Sequence, residues 1–320
     1  MGVGKRIWLL LLALVLCLSL PSCKAQSQPY RIFVIARPGN ADFYRVVRSG
    51  ALSAGRQSNV EIQYYEPEKD EDCSRRVKWI DEAVEKGIDA IVLADSKNEK
   101  LHQAVERAKR AGVVMVAVDA AENDSLYACS TGTDHFAAGR ELGMHLDAYR
   151  RTPKNTRVGL LTGRENAAAV EQRRAGFEQA IKELGGIEVS WTETCDDGVQ
   201  AYQRMKEHLE IGDVDVVVSL SMETSLGAAQ AVKALSSSLP LLGFYGSTQE
   251  VTYLEEGLIR EAVVQNPFAM GYLSVDAAVR CLEGKPVEKW ISANYILVNP
   301  DNIFEEENQG LVFPFLRDGD

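Results

Sequence analysis

The chain has 320 residues, 46% of them hydrophobic, and a formal net charge of −11. That apolar content supports a sizeable buried core and excludes a disordered, highly charged chain. The acidic balance argues against nucleic acid as a partner, because phosphate recognition needs clustered Lys and Arg.

Lys5 and Arg6 precede an apolar run from Ile7 to Leu20, and Pro21-Ser22-Cys23 follows. A charged start, an apolar stretch and small residues before a cleavage point make a secretory signal peptide over residues 1–23. The run is shorter than the roughly 20 residues a membrane-spanning helix needs. Cys23 resembles the Cys of the bacterial lipoprotein lipobox, which is diacylated and becomes the new N-terminus. This implies an exported protein held at the membrane by lipid on Cys23. Residues 24–30, KAQSQPY, read as a flexible tether. Cys17 leaves with the signal. Cys73, Cys129, Cys195 and Cys281 are widely spaced, with no C-x-x-C and no Cys/His cluster, so no metal or other cofactor is expected. Disulfide pairing or four free thiols both stay open.

From residue 31 a regular alternation begins. Ile32 to Ala36 reads as a strand, Phe43 to Gln57 as a helix, and Val60 to Tyr65 as a second strand. Asp72 to Lys86 is amphipathic, with Val77, Ile80, Ala83 and Val84 on one face, and Gly87 stops it. Asp89 to Ala94 is a buried-type strand, Glu99 to Ala111 a helix, and Val113 to Val118 another buried strand. The pattern then repeats. Helices are expected over Phe136–Tyr149, Ala167–Leu184, Val199–Leu209, Thr224–Leu235, Val251–Glu256 and Pro267–Leu282. Strands are expected over Val158–Thr162, Ile187–Thr194, Val214–Leu220, Leu239–Phe244, Ile259–Gln265 and Tyr295–Val298. Runs such as IVLA and VVMVAV lack alternation, so both of their faces are covered, as in a parallel sheet between helix layers. The fold class is α/β, with two doubly wound parallel-sheet lobes.

Four segments carry a resemblance over roughly residues 31–303. The first is IFVIARPGNADFYRVVRSGALSAG. The second is GIDAIVLADSKNEKLHQAVERAKRAGVVMVAVDA. The third is the helix AAAVEQRRAGFEQAI, through Arg174, Gly176 and Phe177. The fourth is the tail LGFYGS, AVVQNPFAMGYLSVDAAVRCLEGKPV and YILVNPDNI. In order and spacing they resemble the type I periplasmic solute-binding proteins, the ribose-binding group in particular. The resemblance implies a three-crossing hinge near Thr133-Asp134, Gln265-Asn266 and Ser292–Asn294. One lobe would hold residues 31–133 plus 266–293, and the other 134–265 plus 294–320. It also implies a clamp that closes on a small carbohydrate-like ligand and works as a monomer.

In open α/β sheets ligands bind beyond the carboxyl ends of the strands. Here those ends are Arg37 to Tyr44, Ala94 to Ser96 and Asp119-Ala120 in one lobe. In the other they are Gly163 to Ala167, Ser221 to Glu223, Tyr245 and Gln265. Sugar sites pair aromatic faces with planar polar side chains. The resemblance assigns stacking to Phe43 and Tyr44, a hydroxyl-accepting carboxylate to Asp119 and a hinge amide to Gln265. The sequence also departs from the family. Ala120 stands where an Arg often follows that Asp, Glu171 where a helix supplies an Arg, Ser221 where an Asn or Asp is common, and Tyr245 where GFD has its Asp. Arg37 or Arg164 would have to replace the missing guanidinium groups. Asp42, Phe43, Tyr44, Asp119, Glu171, Ser221, Tyr245, Gln265 and Arg37 are therefore the candidate ligand contacts, and plain ribose is not the expected ligand. Of the four histidines, only His135 lies beside a hinge crossing. The acidic run at Glu305-Glu306-Glu307 reads as a solvated surface.

An exported enzyme would need a nucleophile with a base, a metal cluster or a tuned acid pair. No G-x-S-x-G, H-E-x-x-H or Cys/His pairing is present. Two binding roles remain. One is delivery to the permease of an ABC importer, and the other is signalling to a membrane sensor histidine kinase. Fold alone does not separate them.

Overall fold

The computed structural model describes residues 28–38, 41–69, 73–94, 98–122, 124–150, 155–164, 167–245 and 248–313. The signal peptide, Cys23, the first part of the tether and residues 314–320 lie outside the described residues.

The first unit runs β1 (Arg31–Ile35), α1 (Ala41–Ser58), β2 (Glu61–Tyr65), α2 (Ser74–Glu85), β3 (Ala90–Ala94), α3 (Glu99–Arg110), β4 (Val114–Val118) and β5 (Cys129–Thr133). The second runs α4 (His135–His145), β6 (Thr156–Gly163), α5 (Ala167–Leu184), β7 (Ile187–Cys195), α6 (Gly198–Ile211), β8 (Val216–Ser219), α7 (Met222–Ala234), β9 (Leu241–Tyr245), α8 (Thr248–Glu255) and β10 (Glu261–Gln265). α9 (Pro267–Leu282), β11 (Trp290–Ala293), β12 (Tyr295–Val298) and α10 (Glu306–Val312) follow.

The described strands form two six-stranded sheets, ordered β11-β5-β4-β3-β1-β2 and β12-β10-β9-β8-β6-β7. Pairing is parallel throughout except for β12 against β10. β3 and β8 are buried along their whole length, as the apolar runs AIVLA and VVV require.

The chain changes sheet between Thr133 and the start of β6, between Gln265 and β11, and between β11 and β12. These passages are tied to one another. Thr133 Oγ1 donates to Gln265 Oε1 at 3.0 Å, and Asn266 Nδ2 donates to Asn294 Oδ1 at 2.7 Å. The first two passages run directly into helices. Asp134 caps α4 through a bond from Ala137 N (2.8 Å), and Asn266 caps α9 through one from Ala269 N (2.9 Å), with Pro267 in its first turn.

Three elements depart from the expected ones. β5 is the polar string CSTGT, which has no apolar run to mark it, yet Ser130, Thr131 and Thr133 are fully buried. Backbone carbonyls make that burial affordable, since Thr131 Oγ1 donates to Ala117 O at 3.3 Å. β11 is four residues at the sheet edge. The acidic run at 305–307 begins a helix, in which Asn308 and Val312 are buried and Glu306 and Glu307 occupy the first turn, where the helix dipole favours acids. All four described cysteines are free thiols. Burial, followed by the neighbouring Cys281, pushes the Cys129 thiol up to about 11.

The helix pair α4–α5 is packed backbone to backbone. A Cβ at Gly139 would collide with the Arg173 carbonyl, and one at Gly176 with the Phe136 carbonyl. This reciprocal approach sets the distance between the residues that α4 and α5 present. Replacing Gly176 by Ala must separate the helices. We expect a loss of about 1–3 kcal/mol, read as a lower urea midpoint with an unchanged denaturant slope.

Candidate functional site

Two clusters stand at the carboxyl edges of the two sheets. The first is built on Asp119, the residue that follows β4. It is only 6% exposed and has a left-handed backbone, φ 54°. Asp tolerates that region better than most residues. Its Oδ2 accepts from Arg37 Nη2 at 2.5 Å and from Tyr44 Oη at 2.8 Å. Arg37 comes from the loop after β1 and Tyr44 from the first turn of α1. The Arg37 guanidinium also lies 6.0 Å from the centre of the Tyr44 ring. Tyr44 is held from behind, where its carbonyl accepts from Tyr64 Oη at 2.9 Å. Phe43 meets the Tyr44 ring edge-on at 5.3 Å.

The second cluster is built on Arg173 of α5, which is buried. Its Nη1 donates to the carbonyl of Leu220, just past β8, at 2.8 Å. Its guanidinium carbon lies 3.9 Å from the centre of the Phe244 ring on β9. Its Nε donates to His135 Nδ1 at 3.2 Å. Burial first, then the positive charges of Arg173 and Arg37, hold the His135 imidazole well below its usual range. Arg37 comes from the loop after a strand of the other sheet.

The sequence-derived candidates divide accordingly. Arg37, Tyr44 and Asp119 come together, with Phe43 against them. Tyr44 is 1% exposed with its hydroxyl committed to Asp119, so it orients the carboxylate and offers no open stacking face. Gln265 stands at the end of β10, bound to Thr133 across the passage. Ser221 is buried at the start of α7, its hydroxyl 2.6 Å from Thr224 Oγ1. The side chain of Tyr245, the last residue of β9, is outside the described residues.

Two of the candidate acids are exposed and paired within their own helices. Asp42 is 45% exposed and pairs with Arg45 at 3.2 Å. Glu171 is 69% exposed and pairs with Arg174 at 3.8 Å. The exposure of Glu171 has a geometric reason. The buried stripe of α5 is Ala169, Val170, Arg173, Gly176, Phe177 and Ala180, and Glu171 is off it. Arg173 lies on that stripe and supplies the inward guanidinium from this helix. Its spacing of three and four from Gly176 and Phe177 was the available signal. Arg164 is exposed and paired with Asp196. Arg37 does place a guanidinium beside Asp119.

The periplasmic binding protein domain family matches residues 32–286, well over half of the chain. The chain belongs to the periplasmic binding protein family. This binding protein is 22% identical over 275 residues to the ribose import binding protein RbsB of Bacillus subtilis (strain 168), covering 85% of this chain and 88% of that one. It is 26% identical over 239 residues to the D-apiose import binding protein of Paraburkholderia graminis, covering 71% and 75%. Among solved structures, it matches a carbohydrate transporter solute binding protein from Agrobacterium radiobacter in complex with D-arabinose. The TM-score is 0.79 at 22% identity, covering 90% of this chain and all of the other. The two-lobed α/β reading is the fold of this family.

Among the described residues, no group of His, Cys, Asp and Glu is set to hold a metal ion, and no helix is long and apolar enough to cross a membrane.

The Arg37–Asp119 pair is nearly out of water, so removing one partner strands the other. Arg37→Met is expected to destabilise by about 1–3 kcal/mol. Combined with Asp119→Asn, the loss should fall short of the sum of the single losses by about 1 kcal/mol, measured as a double-mutant cycle in urea.

Proposed function

We propose that this binding protein is an extracytoplasmic receptor, anchored through lipid on Cys23, that closes on a small carbohydrate-like ligand and presents the closed form to an ABC importer. The lobes are residues 31–133 with 266–293, and residues 134–265 with 294–320. The observation that carries this reading is the pair of buried charged clusters at the carboxyl edges of the two sheets, Asp119 with Arg37 and Tyr44, and Arg173 with His135. Buried charge placed beyond strand ends, where this fold class binds ligands, is recognition chemistry. The names of the relatives, which describe ribose and D-apiose import binding, support the carbohydrate class.

The mechanism needs no covalent step. A ligand that contacts both edges gains more in the closed arrangement than in the open one, and only that difference shifts the population. Asp119 accepts from hydroxyl groups, Arg37 and Arg173 donate, and Phe43 covers apolar C–H faces. The linked passages at Thr133, Gln265, Asn266 and Asn294 confine the motion to a bending of one lobe on the other. Presentation to a sensor histidine kinase is the second reading. It is favoured by Ala120 and Ser221, which replace polar groups that the ribose-binding group uses.

A thermal-shift panel of D-ribose, D-allose, D-arabinose, xylitol, nucleosides and amines tests the ligand class. A ligand at 100 times its Kd stabilises by about 2.7 kcal/mol, a rise of several degrees for a chain of this size. We expect the response among the sugars or polyols, with ribose weak. Responses confined to nucleosides or amines would overturn the carbohydrate assignment, and tight ribose binding would overturn the departure from ribose. For the anchor, Cys23→Ala is expected to move the protein from the detergent phase to the aqueous phase in a Triton X-114 partition. Unchanged partitioning of that variant would rule lipid on Cys23 out.

A further inference from the structure

His135 is the first residue of α4, immediately after the first passage between sheets, and it is 0% exposed. Its Nδ1 lies 3.2 Å from Arg173 Nε, an atom that always carries a proton in an arginine. Nδ1 must therefore accept, and the single proton of the neutral ring sits on Nε2. That Nε2 is buried and, among the described residues, has no hydrogen-bond partner. An unsatisfied buried donor costs about 1–3 kcal/mol, and native structures rarely keep one without a use.

The ring has little freedom to escape this arrangement. Gly139 and Gly176 let α4 and α5 touch backbone to backbone, and Arg173 is held by the Leu220 carbonyl and the Phe244 ring. Protonating the ring offers no relief either. The charged groups that act on it are Arg173 of its own lobe and Arg37 of the other, both positive. The imidazole is thus a fixed, neutral Nε2–H donor between two guanidinium groups, at the junction of the two sheets.

We infer that His135 is a ligand-contact residue whose Nε2–H donates to an acceptor oxygen of the bound molecule, with Arg173 as its positioning residue. The inference rests on the clamp reading above and adds to it a fixed donor on the Arg173 side of the cleft. The acceptor is a hydroxyl or ring oxygen of a neutral sugar, or a carboxylate oxygen of a sugar acid. In either case the ligand satisfies a donor that the protein leaves open, so binding recovers the cost of burying it.

The test uses the full-length chain in mild detergent, 15N-labelled at histidine, with D-ribose, D-allose, D-arabinose, xylitol, D-gluconate and D-galacturonate as probes. Imidazole spectra without additive should show His135 as the Nε2–H tautomer. Any probe that raises the melting temperature should also move the His135 Nε2 resonance. Movement with the neutral probes identifies a hydroxyl or ring acceptor, and movement only with the two acids identifies a carboxylate. An Nδ1–H tautomer would overturn the inference. So would a stabilising probe that leaves Nε2 unmoved, in which case the clamp reading survives. If no probe stabilises the protein or moves the resonance, both fall together. A matched pair of variants adds an affinity readout. His135→Leu should weaken a stabilising probe about 10-fold or more, equivalent to about 1.4 kcal/mol, while His135→Gln, which keeps an N–H donor, should recover most of the loss. Equal losses in the two variants would count against the donor role.

Discussion

One carboxylate and one guanidinium are buried at opposite sheet edges, and the local structure is arranged to satisfy them. Asp119 would be costly to hold at 6% exposure without the Arg37 guanidinium and the Tyr44 hydroxyl on the same oxygen. Arg173 is met by a carbonyl, an aromatic face and an imidazole nitrogen. Each set draws on more than one element: the β1 loop, α1 and the end of β4 for the acid, and α4, α5, β8 and β9 for the base. The orientation of each group is therefore fixed by the protein itself.

Helix contact is what makes the second set possible. α4 and α5 can approach only because Gly139 and Gly176 lack side chains where the facing carbonyls lie. The same device recurs between α1 and α9, where a Cβ at Gly50 would strike the Phe268 carbonyl and one at Gly271 the Val47 carbonyl. Both helices that follow a passage, α4 and α9, are thereby clamped onto a helix that carries cleft residues. The fit of these backbone contacts leaves little room for slack.

The passages are short and laterally bonded. Thr133 with Gln265, and Asn266 with Asn294, join strands that are distant in sequence. A further bond from Tyr295 Oη to Glu141 Oε2 at 2.8 Å ties the start of β12 to α4. Three passages bonded side by side in this way resist twist and separation.

The alternation of apolar runs and amphipathic stretches was legible in the amino-acid order. So was the parallel character of both sheets, because runs such as AIVLA and VMVAV have no polar face to expose. Asp119, Arg37 and Gln265 were legible as strand-end residues for the same reason. Tertiary structure alone decided the rest. β5 is a strand because neighbouring carbonyls satisfy its hydroxyls, which no periodicity reports. Tyr44 serves a carboxylate because Asp119, far away in sequence, ends beside it. On α5, the inward guanidinium belongs to Arg173 and not to the helix position of Glu171, since helix rotation against α4 selects the face. His135 acquired its meaning only when folding put Arg173 on one ring nitrogen and left the other without a partner among the described residues. Short-range order records which residues are apolar and where strands end, whereas contacts between distant segments determine which polar groups are satisfied.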